Sequence, residues 1–171
     1  VQEIPLPGAH EFIQHTATFD LNGGHAEFAY VNGIGGLYVM DGATGDVLSG
    51  YPVYLNDGQL SSEAPRSPAA VNSVAAVDIS GDGKSDLLVA AEDGWTYAVS
   101  FDGGGAPSLH WSFYLGVPIK HLLPMDWNGD GKQELIAAAR DGQIYGIGSV
   151  PGSVKITGPA KNALLLAPVI N

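Results

Sequence analysis

The chain has no cysteine, which excludes disulfides and thiolate-held metals and leaves its redox compartment open. Cations are scarce too: 7 Lys plus Arg stand against 18 Asp plus Glu, a net charge of -11. A nucleic acid or an anionic membrane needs a basic face, so neither is expected as a partner. Long apolar runs are missing as well. The longest, residues 163–170, is too short to span a bilayer, so no membrane insertion is expected. No basic, apolar signal segment opens the chain; either the protein is cytosolic or Val1 follows a removed leader.

Signatures of catalysis are equally absent. The five histidines, His10, His15, His25, His110 and His121, show no metal-ligand spacing, and no His-Glu-x-x-His occurs. Without a Gly-x-Ser-x-Gly elbow nothing presents a serine nucleophile, so acyl transfer is not expected. The glycine clusters at 33–36 and 103–105 lack the strand-to-helix setting of a phosphate-binding loop and read as turns. No catalytic residue is assigned.

What the chain does have is turn residues, Gly 24 and Pro 11, with strand-like runs about every ten residues and no long stretch of helical period. That combination predicts an all-β protein. At 171 residues it can bury a sizeable core. The runs are organised around Asp78-Ile-Ser-Gly-Asp82-Gly-Lys-Ser-Asp86, which recurs as Asp126-Trp-Asn-Gly-Asp130-Gly-Lys-Gln-Glu134 and, worn down, as Asp20-Leu-Asn22-Gly-Gly-His-Ala-Glu27.

In the two complete copies, side-chain oxygens stand at relative positions 1, 3, 5 and 9 and glycines at 4 and 6. A hard cation such as Ca²⁺ takes about six to eight oxygens, and alternate residues of a glycine-bent loop can point at one centre. One predicted site is Asp78, Ser80, Asp82, Asp86 and the carbonyl of Lys84; the other is Asp126, Asn128, Asp130, Glu134 and the carbonyl of Lys132. Six carboxylates thus crowd into two loops, which is costly unless a cation neutralises them. The expected cofactor is calcium in a structural role, two ions in all. The worn copy, with Asp20, Asn22 and Glu27, lacks a donor at position 5 and is expected to be empty. An EF-hand is excluded because its position 12, here Val89 or Ala137, cannot bind metal.

Each loop runs into a short apolar stretch that ends at Asp93-Gly94 or Asp141-Gly142, read as type I′ hairpin turns. The three copies keep one register. Asp93 and Asp141 lie 15 residues beyond Asp78 and Asp126, and Tyr97 and Tyr145 lie 19 beyond; Tyr38 lies 18 beyond Asp20. These tyrosines are expected to pack between neighbouring sheets. Four strands are read in each copy: 14–19, 27–31, 37–40 and 51–55; then 71–77, 86–91, 95–101 and 109–115; then 119–125, 134–139, 143–147 and a weaker 154–157. Repetition of four antiparallel strands is the pattern of β-propeller blades, here roughly 14–55, 71–115 and 119–157 within a single segment, 1–171. Residues 163–171 read as the possible first strand of a further blade and 1–6 as the outer strand of a preceding one. The polar insert 56–68 is read as a surface loop, or as a binding loop on one face.

The two loops with their downstream strands, together with Leu37-Tyr-Val-Met-Asp-Gly-Ala-Thr-Gly-Asp-Val-Leu-Ser-Gly-Tyr-Pro-Val53, resemble the FG-GAP/VCBS repeats of integrin-α-like propellers over about residues 14–150. The resemblance implies a calcium-stabilised propeller, usually extracellular, serving adhesion or carbohydrate binding and sometimes carrying a lyase. Three blades leave open edges, so the rest of the propeller is expected from the same longer polypeptide or from another chain. The expected function is a metal-binding recognition module for a protein or glycan, at the cell surface, outside the cell or in the periplasm, where calcium suffices for modest sites. The alternative is part of a polysaccharide lyase or related carbohydrate-active enzyme; scarce Lys and Arg weaken it. Trp127, inside one loop, is an aromatic candidate for stacking on a sugar.

Overall fold

The computed structural model of the chain describes residues 13–21, 23–67, 69–102, 105–126, 129, 131–147, 154–156 and 163–165. Among them there is no helix, and every strand pair is antiparallel. The first sheet runs in chain order through β1 (Ile13–Phe19), β2 (Glu27–Asn32), β3 (Gly36–Met40), β4 (Val53–Asn56) and β5 (Gln59–Ser61). The second holds β6 (Val71–Val77), β7 (Asp86–Ala91), β8 (Trp95–Phe101) and β9 (Pro107–Tyr114). The third holds β10 (Ile119–Met125), β11 (Glu134–Ala139) and β12 (Ile144–Ile147), and a two-stranded sheet joins β13 (Val154–Ile156) to β14 (Ala163–Leu165).

The second sheet is the middle of the core. Side chains alternate along a strand, so Leu87, Val89, Ala91, Tyr97, Val99 and Phe101 pack with Ala29, Val31, Leu37 and Val39 of the first sheet. Leu88, Ala90 and Ala98 turn the other way, onto Ile119, Leu122, Leu135, Ala137 and Ile147 of the third. Burial on both faces explains why β7 reads Asp-Leu-Leu-Val-Ala-Ala with no polar alternation. Alanine is a poor strand former, but that preference spans only about 1 kcal/mol, whereas each buried Leu or Val contributes roughly 1.5–3 kcal/mol. Packing therefore decides, and the run forms a strand.

The leading strands lie side by side. Asn72 Nδ2 donates to the Ile119 carbonyl at 2.7 Å and the Leu122 amide to Ser73 Oγ at 3.1 Å, so β6 and β10 run in the same direction at the same level. Their following loops consequently leave at the same end. Each leading strand also carries a register shift at the same place, between Ile13 and His15, Val71 and Ser73, and Ile119 and His121. Near the loop end, the rings of Phe19 and Phe101 stack at 5.3 Å between the first and second sheets.

The structure departs from the sequence reading in three places. The turns at Asp93-Gly94 and Asp141-Gly142 are not type I′, because only the glycines have positive φ, 93° and 79°. The Gly94 amide reaches the Ala91 carbonyl at 3.2 Å and the Gly142 amide the Ala139 carbonyl at 3.2 Å, as in connections whose last residue is a left-handed glycine. Second, the start of the 56–68 insert is not a loop. Asp57 and Gly58 have φ of 47° and 77°, the signature of a type I′ turn, and β5 extends the first sheet. Third, β13 is not a fourth strand of the third sheet, since it pairs with β14. Residues 1–6 and 166–171 lie outside the described residues, so the terminal strands expected there are not described beyond β14.

Gly58 meets two demands at once: its φ is left-handed, and a Cβ built on it would sit 2.6 Å from Cζ3 of Trp95. Its amide donates to the Tyr97 hydroxyl at 3.2 Å, seating the β4–β5 turn on the second sheet. Gly58→Ala is expected to destabilise by about 2–4 kcal/mol, combining left-handed strain with overpacking. Thermal unfolding checks this; the expected fall in Tm is roughly 5–12 °C for a chain of this size.

Candidate metal centre

The three loops connect the first and second strands of their sheets, and they share one internal scaffold. In loop 78–86, Asp78 Oδ1 accepts the Gly81 and Asp82 amides at 2.7 and 3.1 Å, and its Oδ2 accepts the Gly83 amide at 2.9 Å. In loop 126–134, Asp126 does the same for the Gly129 and Gly131 amides, at 2.7 and 2.9 Å. Asp20 makes the same kind of contact, to the Gly23 amide at 2.6 Å. The acid at the head of the second strand closes the first two loops. Asp86 Oδ2 accepts the Ile79 and Ser80 amides at 3.0 and 2.9 Å, and Glu27 Oε2 accepts the Leu21 amide at 2.8 Å. Asp86, Glu27 and Glu134 are 2%, 3% and 3% exposed, each the first residue of its strand.

The glycines at positions 4 and 6 are required by conformation alone. Gly81, Gly83, Gly129 and Gly131 have φ between 77° and 86°, and nothing lies within 4 Å of where a Cβ would stand. These left-handed residues aim successive amides inward, and the position-1 carboxylate collects them. Asp82 Oδ1 takes the Lys84 amide at 2.9 Å. Ser80, Asp82 and Lys84 are exposed and Asp78 is partly buried.

Every predicted donor is a hard oxygen, the chemistry that suits calcium and not zinc or copper. An ionised carboxylate has about four acceptor sites, so Asp78, Asp82 and Asp86 keep lone pairs beyond those their amide contacts use. Their present orientation serves the loop and not a common centre: among the described residues, no three His, Cys, Asp or Glu side chains converge closely enough to hold a metal ion. Asn128, Asp130 and Trp127 lie outside the described residues, as does Asn22 of the worn loop. The residues fit a calcium site by donor type and spacing, and binding would require their side chains to converge more closely than they do here.

The equivalent tyrosines diverge in role. Tyr97 is fully buried in the core between the first two sheets, Tyr38 stacks on Tyr30 at 4.8 Å, and Tyr145 donates to Asp141, a contact that pushes its hydroxyl up to about 12. Sequence reasoning overlooked one element of the loops, the double use of positions 1 and 9 as amide acceptors. The signal was present in the pairing of an acid at position 1 with glycines at 4 and 6, where loops bonded to their own Asx side chains are expected.

Meander sheets packed face to face, each opened by the same acidic, glycine-bent loop, define a repetitive all-β protein. Residues 78–137 match the family model of the FG-GAP-like repeat, so that stretch carries an FG-GAP-like repeat. The match starts at the first aspartate of one complete loop and extends past the end of the next, into β11. A search of curated proteins finds no match to the chain.

Replacing Asp86 by alanine removes a nearly buried acceptor from two part-buried loop amides. Asp86→Ala is expected to cost about 2–4 kcal/mol, set by two lost charge-assisted contacts. The loss should persist in the presence of chelator, which urea unfolding with and without EDTA measures.

Proposed function

We propose that the chain is a calcium-stabilised β-propeller segment that presents a binding surface to a protein or glycan outside the cell. The observation that carries the reading is the matching placement of an acid-and-glycine loop between the first and second strands of sheet two and again of sheet three, within an FG-GAP-like repeat. Each ion would tie the end of one strand to the start of the next, with Asp78, Ser80, Asp82, Asp86 and the Lys84 carbonyl at one site. Asp126, Asn128, Asp130, Glu134 and the Lys132 carbonyl would form the other.

Blade-like stacking supports the propeller form. The face of sheet two that carries Leu88, Ala90 and Ala98 is covered by sheet three. On sheet three the equivalent face carries Leu123, Met125 and Ile144, which are 52%, 40% and 52% exposed. A further blade, from the same longer polypeptide or another chain, would cover it in the same manner. No helix among the described residues is long and apolar enough to cross a membrane. An extracellular or periplasmic address accords with sites of modest calcium affinity.

Calorimetric melting in millimolar calcium and in chelator tests the metal. An ion bound by the folded chain alone stabilises by about 2.7 kcal/mol per site at a hundred times its Kd, so Tm should drop by several degrees in chelator. Asp82→Ala should shrink that drop to the share of one loop. An unchanged Tm would overturn the calcium reading. For the surface, glycan-array or protein-ligand binding without turnover is expected; cleavage of an acidic polysaccharide would replace recognition by a lyase.

A further inference from the structure

The worn loop keeps the architecture of the complete ones yet carries an imidazole where they carry none. His25 stands between Gly24 and Glu27 of that loop, and its Nε2 lies 3.0 Å from Asp41 Oδ2, across from the turn that follows β3. Asp41 is itself anchored: its Oδ1 accepts the Ala43 and Thr44 amides, both at 2.8 Å. Asp20 from the end of β1 and Glu27 from the start of β2 also act electrostatically on the imidazole. One carboxylate thus contacts the titratable base directly, and two more act on it from the ends of its own loop. No Lys or Arg precedes Arg66 in the chain, whereas each complete loop has a lysine at position 7, Lys84 or Lys132.

We infer that His25, as an imidazolium, serves the first loop as a built-in cation, clasping it to the Asp41 turn in place of the divalent ion proposed for the complete loops. The comparison with the complete loops rests on the calcium reading above; the clasp itself rests on the His25–Asp41 geometry. Its consequence is a division of labour. The first sheet would answer to protons and the second and third to calcium.

The sign of the pH dependence follows from the partners. Asp41, then Glu27 and Asp20, hold His25 above its ordinary value. The Thr44 amide first, and then His25, bring Asp41 down to about 2. The imidazolium's contribution is therefore complete below the ordinary histidine value, about 6.5, and is lost as pH rises through the elevated folded value. The Asp41 contribution is present above about 3.9 and is lost as pH falls towards 2.

Imidazole NMR titration of the intact chain, in calcium and again in EDTA, tests the inference, with His25→Gln assigning the resonance. The expected result is a His25 midpoint above that of an ordinary histidine, the same in both buffers, that moves down in Asp41→Asn. His25→Gln should also raise amide exchange of Ala43 and Thr44 roughly twofold at pH 6 and leave it unchanged at pH 9. A midpoint at or below the ordinary value overturns the clasp. So does a midpoint that falls when calcium is added, because calcium would then be entering this loop and expelling the proton. Neither result depends on whether chelator lowers Tm, so the clasp and the calcium reading fail separately.

Discussion

A nearly buried carboxylate at the head of each second strand is the constraint on which the sheets depend. Glu27, Asp86 and Glu134 face the last residues of the preceding strands, Phe19, Val77 and Met125. An ionised group cannot be taken out of water without partners, and the partners available are amides of the loop just crossed. The amides of Leu21, Ile79 and Ser80 supply them. Once those contacts form, the pairing register downstream is set, and a slip by one residue would both orphan the acid and turn Leu87 and Val89 away from the first sheet. Electrostatics at one end of the strand thereby selects which side chains enter the core.

Much of this was legible because two signals agreed. Val71–Val77, Asp86–Ala91, Trp95–Phe101, Ile119–Met125 and Glu134–Ala139 stand where the apolar runs between loop and turn place them. Their ends are marked by residues with a physical reason to be there, an acid that bonds loop amides or a glycine that must turn left-handed. Where the ends lack such markers the reading drifts: the last strand of the first copy was expected at 51–55 and lies at Val53–Asn56. The Asp57-Gly58 turn was missed because the polar residues around it resemble a loop. What makes β5 a strand is the seating of Gly58 on Trp95, a contact across 37 residues that local pattern does not contain. The shift in β6 was illegible for a related reason, since Asn72 at that point bonds the neighbouring sheet.

The candidate site was legible in kind but not in conformation. Spacing identifies which oxygens a cation would draw on, yet the same oxygens are acceptors for amides of their own loop. Asp78 serves three amides and Asp86 two. A loop built this way is pre-shaped without a metal, so an ion entering it would do little folding of its own and would instead relieve repulsion among acids already gathered. That economy also explains how the first copy can lose position 5 and keep its turn. The Asp20 and Glu27 contacts survive, and they are the ones that shape the backbone.

The first and third sheets differ in the faces turned away from the second, and the difference follows from what each buries. On the far face of the first sheet Tyr30, Tyr38 and Met40 form a buried cluster of their own, with Phe28 and Val47 packed beside it. The rings of Tyr30 and Tyr38 stack with an interplanar angle of 2°, joining two large aromatic surfaces in that cluster. The far face of the third sheet has short, unstacked aliphatics, Leu123, Ile136 and Ile144, with Met125 at the end. Aliphatics of that size bury themselves only against a second surface, as Leu88 does against the third sheet. In a stack where each sheet contacts its neighbours alone, a unit whose outward face is built for packing has the character of an interior repeat, whereas true terminal repeats turn a polar face outward. The far face of the third sheet thus has the apolar composition of a packing face, although Leu123 and Ile144 stand exposed on it.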